Sequence, residues 1–296
     1  MAKITKSTGL FPSELVTDVF SKVKGHSTLA LLTNQTPIPF TGSGNFVFSM
    51  DGEASIVGEG LAKPAGEAEF KSVVIKPIKF VYQHRLTDEF INMSEEQQIP
   101  YMQAFADGFA KKMARALDIA SFHGVNPADK TSSDQIGTNH FDSKVTNKIT
   151  LTSEGKQDDA VDDAVTLIQA VDGEVTGIAM APAFASGLGK MKDTNQNAIY
   201  PEFRFGGNPG HFGQMKADIN STVSFGTAQK DLAIVGDFEN AVRWGYAESV
   251  PMEIIEYGDP DGQGDLKKSN QIILRAEAYI GWGILDEKSF ARIEKQ

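Results

Sequence analysis

Cysteine is absent from all 296 positions, which excludes disulfides, thiolate nucleophiles and Cys-type zinc sites. Positive charge is scarce: 28 Lys and Arg face 39 Asp and Glu, a formal charge of −11. A nucleic-acid grip needs clustered cations that release phosphate counterions, so this balance argues against one. No apolar run approaches the ~18 residues of a membrane span. The N-terminal stretch MAKITKSTGLF lacks the apolar core of a signal peptide. Asn34-Gln35-Thr36 and Asn220-Ser221-Thr222 match the glycosylation pattern, but with no secretory signal they read as chance matches.

The catalytic inventory is equally thin. The five histidines are His26, His84, His123, His140 and His211, and none has the spacing of a zinc-protease helix. There is no Gly-x-Ser-x-Gly elbow and no phosphate loop ending in Lys-Ser/Thr. Gly206-Gly207-Asn208-Pro209-Gly210 lacks the strand–turn–helix spacing of a dinucleotide loop and reads as loop punctuation. Asp259, Asp261 and Asp265 resemble a calcium loop, but Asn270 stands where the bidentate glutamate belongs, which favours a surface turn. His123 sits near a helix C-terminus with no acid partner close in sequence, so it is assigned to the helix dipole rather than to chemistry. Trp244 and Trp282 fall on apolar strands and are expected in the core. Neither a cofactor nor a metal is expected.

What the chain does have is a long helix. From Ser94 to Gly124, apolar residues recur at Ile99, Met102, Phe105, Phe109, Met113, Leu117 and Ala120, steps of three and four. Ser94 suits the N-cap, Glu95 and Glu96 the positive end, and Gly124 the stop. At the α-helical rise this helix is roughly 45 Å long. Pro100 and Gly108 are blemishes within it, each unfavourable in a helix interior.

Before it, Leu10–Ser27 reads as a short amphipathic helix with Leu15, Val16, Val19, Phe20 and Val23 on one face. Residues 27–40 are expected to be extended. Two strands are expected, Asn45–Phe48 and Phe70–Tyr82, the second edge-like or bulged because of Pro77. About twenty Gly-rich residues separate them, so they read as a two-stranded arm reaching for a partner.

After the helix, Val125–Lys148 is expected to be loop. Asp158–Val171 reads as a helix and Val175–Ala181 as a buried strand, and Pro182 opens a further helix. Asn195–Gly213 reads as a long loop. Short strands are expected at Leu232–Val235, Ala241–Tyr246 and Met252–Tyr257. Two closing strands follow, Gln271–Tyr279 and Gly281–Leu285, expected to return to the long helix. The interleaved helices and strands from 150 to 250 suggest one α/β unit inside an α+β protein.

The order of these parts resembles the tailed-bacteriophage major capsid proteins, the Hong Kong phage-type fold shared with encapsulins. LFPSELVTDVFSKVKGHSTLALL is similar to the family's opening arm, and GEASIVGEGLAKPAGEAEFKSVVIKPIKF to its extended loop. The Ala-Arg-Ala-Leu-Asp-Ile-Ala run of the long helix resembles the spine helix. Ile234-Val235-Gly236-Asp237-Phe238 resembles the axial strands, and Ile273–Trp282 with Asp286–Phe290 the closing signature.

The resemblance implies an N-terminal arm at 1–44, an extended two-stranded loop at 45–82 and a peripheral domain at 83–149. It further implies an axial domain at 150–256 and a returning segment at 257–296. It implies a shell of hexamers and pentamers around double-stranded DNA, built in the bacterial cytoplasm, with no catalysis. Met1 directly before the arm implies a separate scaffolding protein, and a portal is expected as a partner. Inter-subunit contacts are expected at Phe11, Leu15, Val19 and Phe20 of the arm and at Glu53, Glu59, Lys63, Glu67 and Lys71 of the loop. Pro100 and Gly108 become candidate bends in a spine that straightens as the shell expands. The second reading is an encapsulin-like cage, which would carry a cargo-docking helix in place of the arm. The third is an α/β enzyme, which lacks a nucleophile–base pair.

Overall fold

The computed structural model describes residues 26–51, 54–59, 63, 67–153, 155–226, 230–247 and 252–296. The expected amphipathic helix at 10–27 lies almost wholly outside them. So do the arm candidates Phe11, Leu15, Val19 and Phe20, and Glu53 of the loop.

The long helix forms as its periodicity requires. It is one unbroken α-helix, Glu95–His123, stopped by Gly124 in the left-handed conformation. Ser94 is its N-cap, but the capping is by backbone alone: the Ser94 carbonyl accepts from the N–H of Gln97 and of Gln98, and the hydroxyl makes no cap bond. Before it come the short helices α1 (Thr28–Leu32) and α2 (Glu89–Asn92), so the long helix is α3. Helix α1 corrects the expectation of extended chain from residue 27.

The expected strand Phe70–Tyr82 is in fact two. β1 (Ser43–Asp51) pairs antiparallel with β2 (Glu67–Ile75) as an isolated ribbon, and after Lys76-Pro77 the chain enters β3 (Ile78–Thr87) in another sheet. Proline cannot donate to a ladder, and here it marks the transfer rather than a bulge. β3 therefore crosses the division expected at 82–83.

The remaining elements are α4 (Phe141–Lys144), β4 (Lys148–Leu151), α5 (Gln157–Gln169), β5 (Gly177–Met180) and α6 (Pro182–Lys190). They are followed by β6 (His211–Phe212), β7 (Met215–Ile219), β8 (Asp231–Gly236), β9 (Val242–Tyr246) and β10 (Met252–Ile255). The chain closes with β11 (Gln271–Ile284) and β12 (Phe290–Lys295). The stretch expected as loop at 195–213 holds a 3-10 turn at Pro201–Gly206 and β6, and that at 125–148 holds α4.

One sheet has the order β4-β12-β8-β5-β7-β6, with α5 and α6 packed on it. β5 and β8 are buried at every position, as strands covered on both faces must be. The other sheet is built on β11, which pairs with β3 along one side and with β10 and β9 along the other. Met102, Phe105, Phe109, Met113 and Leu117 of α3 share its core with Ile272, Leu274, Ala276 and Trp282 of β11. Trp244 and Trp282 are both buried, as expected.

Two strands join sheets other than those anticipated. The closing pair is a single fourteen-residue strand, β11, while the final segment, β12, goes to the six-stranded sheet between β4 and β8. β9, placed by sequence in the α/β unit, pairs with β11 instead.

Close crossings explain two glycines. A Cβ on Gly245 would lie 1.7 Å from the Thr36 carbonyl oxygen, where the N-terminal segment crosses β9. A Cβ on Gly283 would lie 2.7 Å from the Ile75 side chain, where the ribbon leaves the body. The Gly/Asp loop at 258–265 is clamped by Arg85. Its guanidinium donates to Asp261 Oδ2 at 2.8 Å and to the Gly264 carbonyl at 2.8 Å, so a cation already fills the calcium-like loop.

Candidate functional site: the ribbon, its root and the anchors beneath

The ribbon carries a row of exposed apolar side chains. Its register runs from Ser43 opposite Ile75 to Asp51 opposite Glu67. Alternation sends Phe46, Phe70 and Val74 to one face, where they are 73%, 70% and 55% exposed. The rings of Phe46 and Phe70 stand 6.2 Å apart. A two-stranded ribbon is marginal by itself, and an apolar exposed face on one is a contact surface. At the other end Ile75 is buried, which fixes the root.

The loop candidates are not gathered into one place. Glu59 and Lys63 are exposed in the connection beyond the strands. Glu67 opens β2 opposite Asp51, and Lys71 lies halfway along, 3.6 Å from Glu287 Oε1 of the body. Pro100 and Gly108 lie inside a continuous α3. Gly108 is exposed, and a Cβ there would meet nothing within 4 Å, so no neighbour in the same subunit requires the glycine.

At the root is a groove of about 770 Å³ lined by Lys71, Lys76, Lys79 and Lys144, with Phe40, Ile136 and Tyr279 among its apolar walls. No acidic residue lines it. Lys79 is engaged by Glu277 at 2.7 Å, and that hydrogen bond raises its pKa. Lys144 reaches the Ile284 carbonyl at 3.4 Å. Burial pulls its pKa down and Lys71 adds to that, against the pull of Glu287. Sequence reading missed this set. Lys76 and Lys79 stand three positions apart in Lys76-Pro77-Ile78-Lys79, but nothing local places Lys144 beside them.

Beneath lies an ionic cluster. His123, the last residue of α3, has Nδ1 2.9 Å from Asp142 Oδ2 of α4 and Nε2 2.9 Å from the Thr222 carbonyl. Both neighbours are acceptors, so both ring nitrogens carry protons and the imidazole is a cation. Burial is the strongest single influence and opposes that charge, but Asp142, the Thr222 carbonyl and Asp231 together outweigh it and the pKa is raised. This corrects the reading of a histidine with no acid partner.

Arg292 of β12 donates to Asp231 Oδ1 from Nε at 2.9 Å and from a terminal nitrogen at 2.8 Å, and lies 3.2 Å from Asp142 Oδ1. Burial, then Asp142, pushes the Asp231 carboxyl up to about 7 against the pull of Arg292. His123, Asp142 and Asp231 are close enough to hold a metal ion. With a guanidinium already among them the cluster is a charge lock joining the spine helix to the six-stranded sheet.

A second anchor holds the N-terminal segment. Asp118 of α3, fully buried, accepts from the Ser27 hydroxyl at 2.6 Å, the Thr28 N–H at 3.0 Å and the Leu29 N–H at 3.1 Å. The Thr222 hydroxyl adds a fourth bond at 2.9 Å.

A six-stranded mixed sheet, a long helix on a second sheet and an isolated two-stranded ribbon make up the architecture of the subunit. The model of the phage capsid family matches residues 8–295, and the chain belongs to that family. Its role is that of a structural major capsid protein of a phage head. The solved structure from Mycobacterium phage Ogopogo is similar at 31% identity and a TM-score of 0.78, covering 92% of each chain. That from Gordonia phage Cozz is 24% identical with a TM-score of 0.74, covering 92% of this chain and 87% of that one. The capsid of a native GTA particle matches at 14% identity and a TM-score of 0.63, over 90% and 89%. No curated protein sequence matches.

Proposed function

We propose that this chain assembles head to tail into hexamers and pentamers, with the ribbon of each copy laid over its neighbour. The observation that carries this is the exposed apolar face of Phe46, Phe70 and Val74 on an element that projects from its own body. A heterologous contact of this kind closes into a ring when its rotation permits. The completed shell encloses double-stranded DNA without gripping it, consistent with a formal charge of −11. Assembly in the host cytoplasm uses a separate scaffolding protein and a portal.

The chain performs no catalysis in this reading. The His–Asp pair supports that view, because an imidazole donating from both nitrogens has no lone pair to act as base. Pro100 and Gly108 are the positions at which the spine would bend in the precursor shell. Deleting Gly52–Gly66 tests the assembly reading. Electron microscopy should find folded subunits and no stable particles, whereas normal capsid yield would overturn it.

A further inference from the structure

We infer that the lysine-lined groove at the ribbon's root is a binding site for a compact polyphosphate anion. The ligand is a small molecule, so the site is independent of how subunits pack against one another.

Four ammonium groups converge there from separate parts of the chain. Lys71 comes from β2, Lys76 from the link after it, Lys79 from β3 and Lys144 from α4. No acidic residue lines the groove. Two carboxylates reach its lysines from outside the lining, Glu287 at 3.6 Å from Lys71 and Glu277 at 2.7 Å from Lys79. Lys76 is exposed and has no carboxylate within ion-pair distance among the described residues. Lys144 is half-buried, with its ammonium 3.4 Å from the Ile284 carbonyl. Two positive charges are thus left over in a chain whose formal charge is −11.

The subunit does not relieve this repulsion by itself. Burial holds the Lys144 pKa down and the charge of Lys71 adds to it, and the pull of Glu287 does not restore it. A polyvalent anion between these ammonium groups supplies the missing counter-charge. Ser72, Gln135 and Thr138 add hydroxyl and amide donors to the lining.

Shape and net charge decide which anion. The groove holds about 770 Å³, and Ile75 beside it is buried, which fixes the wall on the ribbon side. A nucleic-acid duplex needs a long track of cations, and a protein this acidic repels it on either side of the groove. A triphosphate is short enough to meet the groove alone. Phe40, 61% exposed with its ring 4.5 Å from that of Tyr279, adds an aromatic wall. The shared chemistry is a polyphosphate chain, either bare or carrying a nucleoside.

Calorimetric titration of the full-length chain with sodium tripolyphosphate tests this. Binding should saturate at one anion per chain and weaken as salt is raised. The bound anion should also shield Lys76 and Lys144 from acetylation, read by mass spectrometry. Lys71→Ala with Lys76→Ala removes two exposed ammonium groups and should bind at least about tenfold more weakly, with folding checked by circular dichroism. Glu287→Gln removes the carboxylate that competes for Lys71 and should bind about threefold more tightly, a gain that damaged folding does not produce.

ATP titrated in parallel distinguishes the two sources, and either result supports the site. Tighter binding of ATP than of tripolyphosphate, reduced to parity by Phe40→Ala, marks a nucleotide; equal affinity marks the bare phosphate chain. No saturable binding by wild type, or unchanged affinity in the folded double-lysine variant, overturns the inference. Tighter binding of a duplex DNA fragment through the same lysines also overturns it, assigning the groove to the DNA backbone.

Discussion

The hydroxyl of Ser27 donates a 2.6 Å hydrogen bond to Oδ1 of Asp118, across 91 positions of sequence. Ser27 is the N-cap of α1, a five-residue helix far too short to persist alone. The orphan N–H groups of Thr28 and Leu29 also point at this carboxylate, so the spine helix provides a cap for a helix it is not part of. The N-terminal segment is thereby fastened to the subunit's longest element.

Asp118→Ala should leave those donors unsatisfied in a dry site and cost on the order of 3 kcal/mol. Limited proteolysis should then cut between residues 26 and 34, where wild type resists. Burial raises the Asp118 carboxyl to about 6. A carboxyl raised in the fold favours folding most when protonated, so its contribution is lost as pH rises from about 4 through 6. The stability difference between wild type and Asp118→Asn, from denaturant titrations, should narrow over that interval.

Arg292→Leu should be among the most damaging single changes. It removes the cation beside buried Asp231 and half-buried Asp142, a loss of about 3–5 kcal/mol by denaturant unfolding. Arg292→Lys should recover only part of this, because an ammonium cannot fork to Asp231 and the Asp142 carbonyl together.

The same cluster sets a pH dependence of definite sign. His123 is raised, and Asp231 is raised to about 7. Both contributions are present at low pH and lost as pH climbs through the folded values. Asp142 is lowered, because His123, Asp231 and Arg292 together outweigh the effect of burial, and works oppositely at acid pH. His123→Gln should flatten the decline in melting temperature between pH 6 and 8. An unchanged slope would assign that decline to other groups.

Arg85→Ala should release the loop from Gly258 to Asn270. The hydrogen bond from Arg85 holds the Asp261 carboxyl down to about 2, so its titration by NMR should move up toward the ordinary carboxylate range. In wild type this contribution is present above about pH 4 and lost as pH falls through 2.

Gly108→Ala should stabilise the isolated subunit by up to about 1 kcal/mol, since helix propensity improves and nothing lies within 4 Å of the new methyl. Gly245→Ala should prevent correct folding, because its methyl overlaps the Thr36 carbonyl. Thermal unfolding of the two variants separates a glycine that packing does not require from one that a crossing strand demands.

Phe46→Ser with Phe70→Ser should leave the subunit's melting temperature within about 1 °C, because both rings are mostly exposed. Particle yield should fall sharply in the same preparation. A matched loss of both would place the rings in the subunit's own core.

Helix α3 was legible because its signals are local: a 3.6-residue apolar period, acids at one end and a glycine stop. β5, β8, β9 and β10 were read as strands close to where they form, and β11 as two strands in place of one. Helix α1 was not legible, since beyond its local cap Ser27 the Thr28 and Leu29 N–H groups are satisfied by Asp118, about 90 positions on. The charge lock was hidden for the same reason: His123, Asp142, Asp231 and Arg292 come from α3, α4, β8 and β12. Each alone looks like an ordinary polar residue. The transfer at Pro77 was visible as an interruption but not as a change of sheet.

By itself the sequence determined the long helix and its apolar face, the helices at α5 and α6, the strands β5, β8, β9 and β10, and the order of parts that marks a capsid subunit. These follow from periods of 3.6 and 2 and from the chemistry of proline and glycine, which act over a few residues. Only the tertiary structure decided which sheet received β9 and β12, what caps α1, and which lysines share a groove. Alternation tells a strand to bury one face but names no partner, and a buried charge finds its counterion wherever packing brings one.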